Sequence, residues 1–140
     1  MITVSALRGR CAEHAYNNGN AFASRPSAAG ANDALLRTRH PLLRRHPRDP
    51  SIVSLYFDLD RATGDVDGCG DLPAGQRLLQ KLQDRAEAHA PRYSHRWQEH
   101  DVLIWDNVTV QHAASSDFKL GENRTMWRCL LEGGVPCGYQ

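Results

Sequence analysis

Trp105-Asp106-Asn107-Val108-Thr109-Val110-Gln111-His112, answered by Arg124-Thr125-Met126-Trp127-Arg128, is the stretch on which the reading of the fold turns. The two segments read as antiparallel strands joined by the polar loop from Ala113 to Asn123. Side chains alternate faces along a strand, so Val108, Val110 and His112 share one face and Arg124, Met126 and Arg128 share one on the neighbour. If those faces meet, an imidazole of metal-ligand type and two guanidinium groups look into one apolar space. Guanidinium groups in such a space are costly unless an anion satisfies them, which points to an acidic ligand. The alternative is that the arginine face is the solvated side of the sheet.

Composition narrows what surrounds this hairpin. A chain of 140 residues is one domain in size, with room for a modest core. Its 17 basic and 16 acidic residues leave a net charge of +1, so no global field draws it to nucleic acid or an anionic membrane. The apolar runs fall well short of the roughly 20 residues of a membrane span, and Met1–Arg10 lacks a signal-peptide core, so the chain reads as soluble and cytoplasmic. Cys11, Cys69, Cys129 and Cys137 form no Cys-x-x-Cys pair and read as reduced structural thiols.

Outward from the hairpin, Tyr93 to Trp97, Val102 to Trp105, Val108 to His112 and Arg124 to Leu131 read as short strands linked by polar turns, the pattern of a sandwich or barrel. His95 and His100, without a carboxylate at ligand spacing, read as surface or satisfied core histidines. Pro73 in a first turn and Leu78, Leu79, Leu82 and Ala86 at helical spacing predict an amphipathic helix that ends at Pro91 and covers a sheet. Ser51 to Leu59 reads as a strand, and Asp65 to Asp71 as a turn. Arg37 to Asp49 is a basic, proline-bounded extended run whose default reading is a solvated surface, since the aromatics that nucleic acid would need are missing. Ile2 to Tyr16 is compatible with a short helix, and the turn-rich stretch that follows with a flexible lead-in. The division this suggests is 1–33 lead-in, 34–133 main domain and 134–140 tail.

Asp101-Val102-Leu103-Ile104-Trp105-Asp106-Asn107 with His112, then Arg124 and Arg128 before Leu130-Leu131-Glu132-Gly133, resembles the carboxy-terminal motif of the TauD/TfdA family of iron(II)- and 2-oxoglutarate-dependent dioxygenases. Arg39 to Pro47, Ser54 to Phe57 and Tyr93 to Trp97 resemble family segments in family order, so the similarity covers about residues 34 to 133. The resemblance implies a mainly β fold with a covering helix, part of a double-stranded β-helix (jelly-roll). It also implies that His112 is the distal iron ligand of a facial triad, and that Arg128, supported by Arg124, clamps the far carboxylate of 2-oxoglutarate. The implied reaction hydroxylates a small organic substrate while 2-oxoglutarate is decarboxylated to succinate.

The other two triad ligands belong to a His-x-Asp or His-x-Glu pair, and this sequence contains neither. A single histidine holds iron(II) weakly, so no residue is assigned a catalytic role and the chain is expected to be inactive alone. Three readings follow: the carboxy-terminal part of a dioxygenase, missing its amino-terminal half; a non-catalytic module binding 2-oxoglutarate or another diacid; or a half-barrel that docks on a partner chain or its own copy to cover a sheet edge.

Overall fold

The computed structural model describes residues 2–16, 36–114, 121, 125–129, 131, 133–135 and 137–140. Two three-stranded antiparallel sheets and one long helix make up its regular part. Thr3 caps a single helical turn, α1 (Val4–Leu7), through its side-chain oxygen. Gly9, at φ +68°, then turns the chain into β1 (Cys11–Tyr16). The short helix expected over Ile2 to Tyr16 is therefore confined to α1: the apolar face of β1 needs a strand's alternation, and Ala12 and His14 are both buried.

β1 is the middle strand of the first sheet, between β2 (Leu36–Pro41) and β5 (Ala62–Val66). With β2 it pairs in continuous register from Cys11 opposite Pro41 to Tyr16 opposite Leu36. With β5 the register slips between Ala12 and His14, and Gly64 lies in the bulged segment at φ +90°. Beyond β2 the chain changes sheets at Leu42, whose N–H donates to the Arg10 carbonyl while its own carbonyl accepts from Tyr56. β3 (Leu43–Arg45) then becomes the centre of the second sheet, flanked by β4 (Val53–Leu55) and β6 (Cys137–Gly138). The strand expected over Ser51 to Leu59 is shorter, because Asp49 holds Ser51 in a side-chain-capped turn and Asp58 closes another onto Asp60.

The expected covering helix is α2 (Leu72–His89), which begins where Asp71 accepts from the Ala74 N–H at 2.7 Å and stops before Pro91. It lays Gly75, Leu79 and Leu82 onto β5. The core unites Leu7, Ala12, Leu42, Leu43, Phe57, Val66, Leu79 and Leu82. Among the described residues nothing after Leu82 is buried.

The strands expected at Tyr93 to Trp97, Val102 to Trp105 and Val108 to His112 do not form, and the described part of Arg124 to Leu131 is not strand either. Local side-chain bonds replace a ladder: Asp101 accepts from the Gln98 N–H and from His95, and Asp106 accepts from the Val108 N–H. No helix among the described residues is long and apolar enough to cross a membrane.

Helix and bulge meet backbone to backbone: a Cβ on Gly75 would run into the Gly64 carbonyl oxygen and crowd the Val66 side chain. Helix propensity alone favours alanine at position 75 by about 1 kcal/mol. Overpacking against a fixed carbonyl reverses that sign, so Gly75→Ala is expected to destabilise the protein by about 2 kcal/mol or more, read as a lower midpoint in urea unfolding. A raised midpoint would show that the helix is free to lift from β5.

Candidate functional site

The tract carrying the hairpin motif runs along the second sheet beside β4, held by side chains. Ser54 Oγ donates to the Val108 carbonyl at 2.9 Å, Gln111 Nε2 donates to the Phe57 carbonyl at 3.0 Å, and His46 Nε2 lies 3.0 Å from Asp106 Oδ2. The N–H of Val108, first, and then His46 hold the Asp106 carboxyl below its ordinary range.

His112 is exposed, with its ring 4.9 Å from that of Trp105. Val110 is exposed and Val108 half-buried, so the three do not line an enclosed space. Arg128 is exposed as well, and among the described residues no hydrogen bond or ion pair joins it to His112. Arg124 lies outside the described residues. A small cavity of about 110 Å³ opens beside the tract, lined by Arg44, Arg45, Val108 and the Gly133-Gly134 pair among others, well below the size of an ordinary small-molecule site.

Arg44 also reaches from this cavity into the seam between the sheets, where the second buried polar side chain, His14, lies. His14 is fully buried; its Nδ1 faces the Ala12 carbonyl at 3.2 Å and its Nε2 accepts from the Asp58 N–H at 3.1 Å. Those partners define the neutral tautomer with the proton on Nδ1. The rings of His14, His40 and Tyr56 pack mutually at 5.3 to 5.7 Å, and the Arg44 guanidinium sits 3.2 Å from the Tyr56 ring centroid. Burial lowers the pKa of His14; burial first, then the charges of Arg44 and His14, lowers that of His40 to about 4. Arg44 lies in the basic run that reads as solvated in sequence, yet it is only 7% exposed. The signal available in the sequence was Leu42-Leu43 directly before it and the aromatic Tyr56 in the next apolar run.

Residues 3–130 match the family described as taurine catabolism dioxygenase TauD, TfdA family. The chain belongs to this family. Among its relatives, the (S)-phenoxypropionate/alpha-ketoglutarate-dioxygenase of Delftia acidovorans is 36% identical over 97 residues, 66% of this chain and 30% of that protein. The alpha-ketoglutarate-dependent sulfate ester dioxygenase of Pseudomonas putida is 32% identical over 102 residues, 72% of this chain and 32% of that protein. Pentalenolactone F synthase of Streptomyces arenae is 31% identical over 101 residues, again 72% of this chain and 32% of that protein. The chain thus matches about a third of the length of these relatives. No solved structure matches it.

The family implies iron(II) and 2-oxoglutarate, and the residues present fit the metal incompletely. Among the described residues no cluster of three His, Cys, Asp or Glu side chains could hold a metal ion. Among the described residues His112 meets an aromatic ring and no second ligand.

The seam makes the fold acid-sensitive. Both histidines have folded-state pKa values below the ordinary 6.5, so folding favours their neutral forms. Their contribution is complete above pH 6.5 and is lost as pH falls from there towards about 4, above the range where Asp67 and Asp106 take up protons. Discounted for the partial exposure of His40, its share of the loss is about 1 kcal/mol, and His14 adds to it in the same direction. Thermal melts at pH 7.5 and 4.5 should differ by several degrees, and His40→Gln should narrow the gap; an unchanged gap in the variant contradicts the assignment.

Proposed function

We propose that this chain supplies the carboxy-terminal, co-substrate-binding part of an Fe(II)/2-oxoglutarate-dependent dioxygenase that oxidises a small organic substrate. One observation carries the reading: the tract from Asp101 through His112, followed by Arg124 and Arg128, stands in family order inside a span that matches the TauD/TfdA family over residues 3–130. Two relatives whose names denote alpha-ketoglutarate-dependent dioxygenases align over about two thirds of the chain or more.

On this reading His112 is the one iron ligand this chain contributes, and its exposed ring is accessible to a metal held from the other side. Trp105, packed on that ring, sets its orientation. Arg128 presents a planar fork of donors to the distal carboxylate of 2-oxoglutarate, and Arg124 adds a second positive charge. Iron, when bound, supplies the activation of dioxygen; the residues here bind and orient the co-substrate. The full site lies in a double-stranded β-helix, to which the two small sheets and the motif tract contribute, in a cytoplasmic enzyme. Because the sequence holds no His-x-Asp or His-x-Glu pair, the chain alone does not assemble the metal centre and is inactive by itself.

The same deficit favours a second reading, a non-catalytic module that retains the arginine clamp for 2-oxoglutarate or a related diacid. Both readings need Arg128. Calorimetry with 2-oxoglutarate is expected to detect weak binding, on the order of millimolar, that Arg128→Ala weakens at least tenfold; no binding, or binding indifferent to that substitution, contradicts the clamp. Anaerobic addition of iron(II) with 2-oxoglutarate is expected to leave the visible spectrum without a charge-transfer band. A stoichiometric coloured complex would mean that the ligand set is complete within this chain.

A further inference from the structure

The peptide group between Phe57 and Asp58 is bonded on both sides. Its N–H donates inward to His14 Nε2 at 3.1 Å, and its carbonyl accepts from Gln111 Nε2 at 3.0 Å. One rigid plane thus touches the middle strand of the first sheet through one end and the residue next to His112 through the other. Because the peptide is planar, a movement that re-aims its N–H re-aims its C=O as well. Bonds at the two ends of one amide also polarise each other, so each is stronger in the presence of the other.

The inner bond exists only while His14 Nε2 carries a lone pair. His14 Nδ1 faces the Ala12 carbonyl and already holds the ring's proton, so a second proton goes to Nε2 and meets the Asp58 N–H, donor against donor. The groups that face this imidazole are the His40 and Tyr56 rings, Arg44 on β3, and Asp58 and Arg61 in the turn after β4; its strand partners Thr38 and Ala62 do not titrate. Burial, first, and then Arg44 and Arg61 favour the neutral ring, while the Ala12 carbonyl and the Asp58 carboxylate favour the proton.

The other two ties of the motif tract do not share this dependence. Ser54 Oγ bonds the Val108 carbonyl without a titrating group. His46 points Nε2 at Asp106, while its Nδ1 accepts from the N–H groups of Arg48 and Asp49. A proton added to His46 therefore goes to Nδ1 and leaves the Nε2–H on Asp106. Acid acts on the Gln111 end of the tract and spares the Asp106 end.

We propose that the Phe57–Asp58 peptide is a proton-operated latch: with His14 neutral it seats the tract at Gln111, and with His14 protonated the N–H turns away, the carbonyl turns with it, and Gln111 and His112 come free of the body. The latch stands on these bonds alone; that its release unseats an iron ligand rests on the reading of His112 given above.

Nuclear magnetic resonance on the whole chain, titrated downwards from about pH 7.5 with circular dichroism marking the onset of acid unfolding, tests it. The Gln111 side-chain amide protons are expected to leave their bonded shift with the same midpoint as the His14 ring nitrogens, before unfolding begins. Linkage makes the effect reciprocal. Gln111→Ala removes the outer bond from an exposed position and should let His14 take its proton more readily, the midpoint rising by about half a pH unit with the dichroism at the starting pH unchanged. His40→Gln leaves both bonds of the peptide in place and should preserve the shared midpoint. Gln111 protons that follow a midpoint other than that of His14, or that change only as the whole chain unfolds, overturn the latch; so does a His14 midpoint that Gln111→Ala leaves unmoved. Neither iron nor 2-oxoglutarate enters the measurement, so its failure is distinguishable from failure of the carboxylate clamp.

Discussion

The structure depends on a histidine whose burial and hydrogen bonds oppose a second proton. His14 is fully buried on the central strand of the first sheet, and its acceptor nitrogen is filled by the N–H of Asp58, from the segment that leaves the second sheet. A proton on that nitrogen would face another donor, so the contact exists only in the neutral form. Around it His40, Tyr56 and Arg44 close the seam, and Leu42, with no exposed surface, carries the chain from one sheet to the other. α2 then seals the outer side of β5 by an approach that only glycine at position 75 permits.

This core is complete without the part of the chain that carries the family motif. From Pro91 to Val135 the described residues are exposed, apart from His95, Leu103 and Val108 at intermediate burial, and the tract touches the body through Ser54, His46 and the Phe57 carbonyl. The division has a functional consequence. His112 and Arg128, the described residues expected to hold iron and 2-oxoglutarate, are exposed and not enclosed, whereas a working site needs ligands fixed by their surroundings and shielded from water. Family membership and incomplete site geometry are thus compatible: on the proposed reading the motif contributes recognition, and its enclosure comes from outside the described residues.

What was legible in the sequence was whatever depends on neighbours in sequence. α2 was, because Asp71, Pro73 and the Leu78, Leu79, Leu82 spacing specify a cap, a first turn and a buried stripe within one segment. The family was legible too, because its motif is a linear pattern. The strands over residues 93–112 were not, since period-two apolar residues state what a segment will do beside another strand but do not supply that strand. Arg44 was misread for a related reason: six of the side chains around it in sequence are basic or histidine, and only the change of sheet at Leu42 turns this one inward. His14 was hidden by the weak helical look of Ile2 to Tyr16, which gave no hint that β1 would be the middle strand.

Native-state hydrogen exchange read residue by residue puts the central division to the most direct test. The account predicts that the amides of His14, Val66 and Leu79 exchange only when the whole molecule opens, while those of Gln111, His112 and residues 125–129 exchange at rates near those of an unfolded chain. Equal protection for both sets would mean that the motif tract is part of the core, and would contradict it.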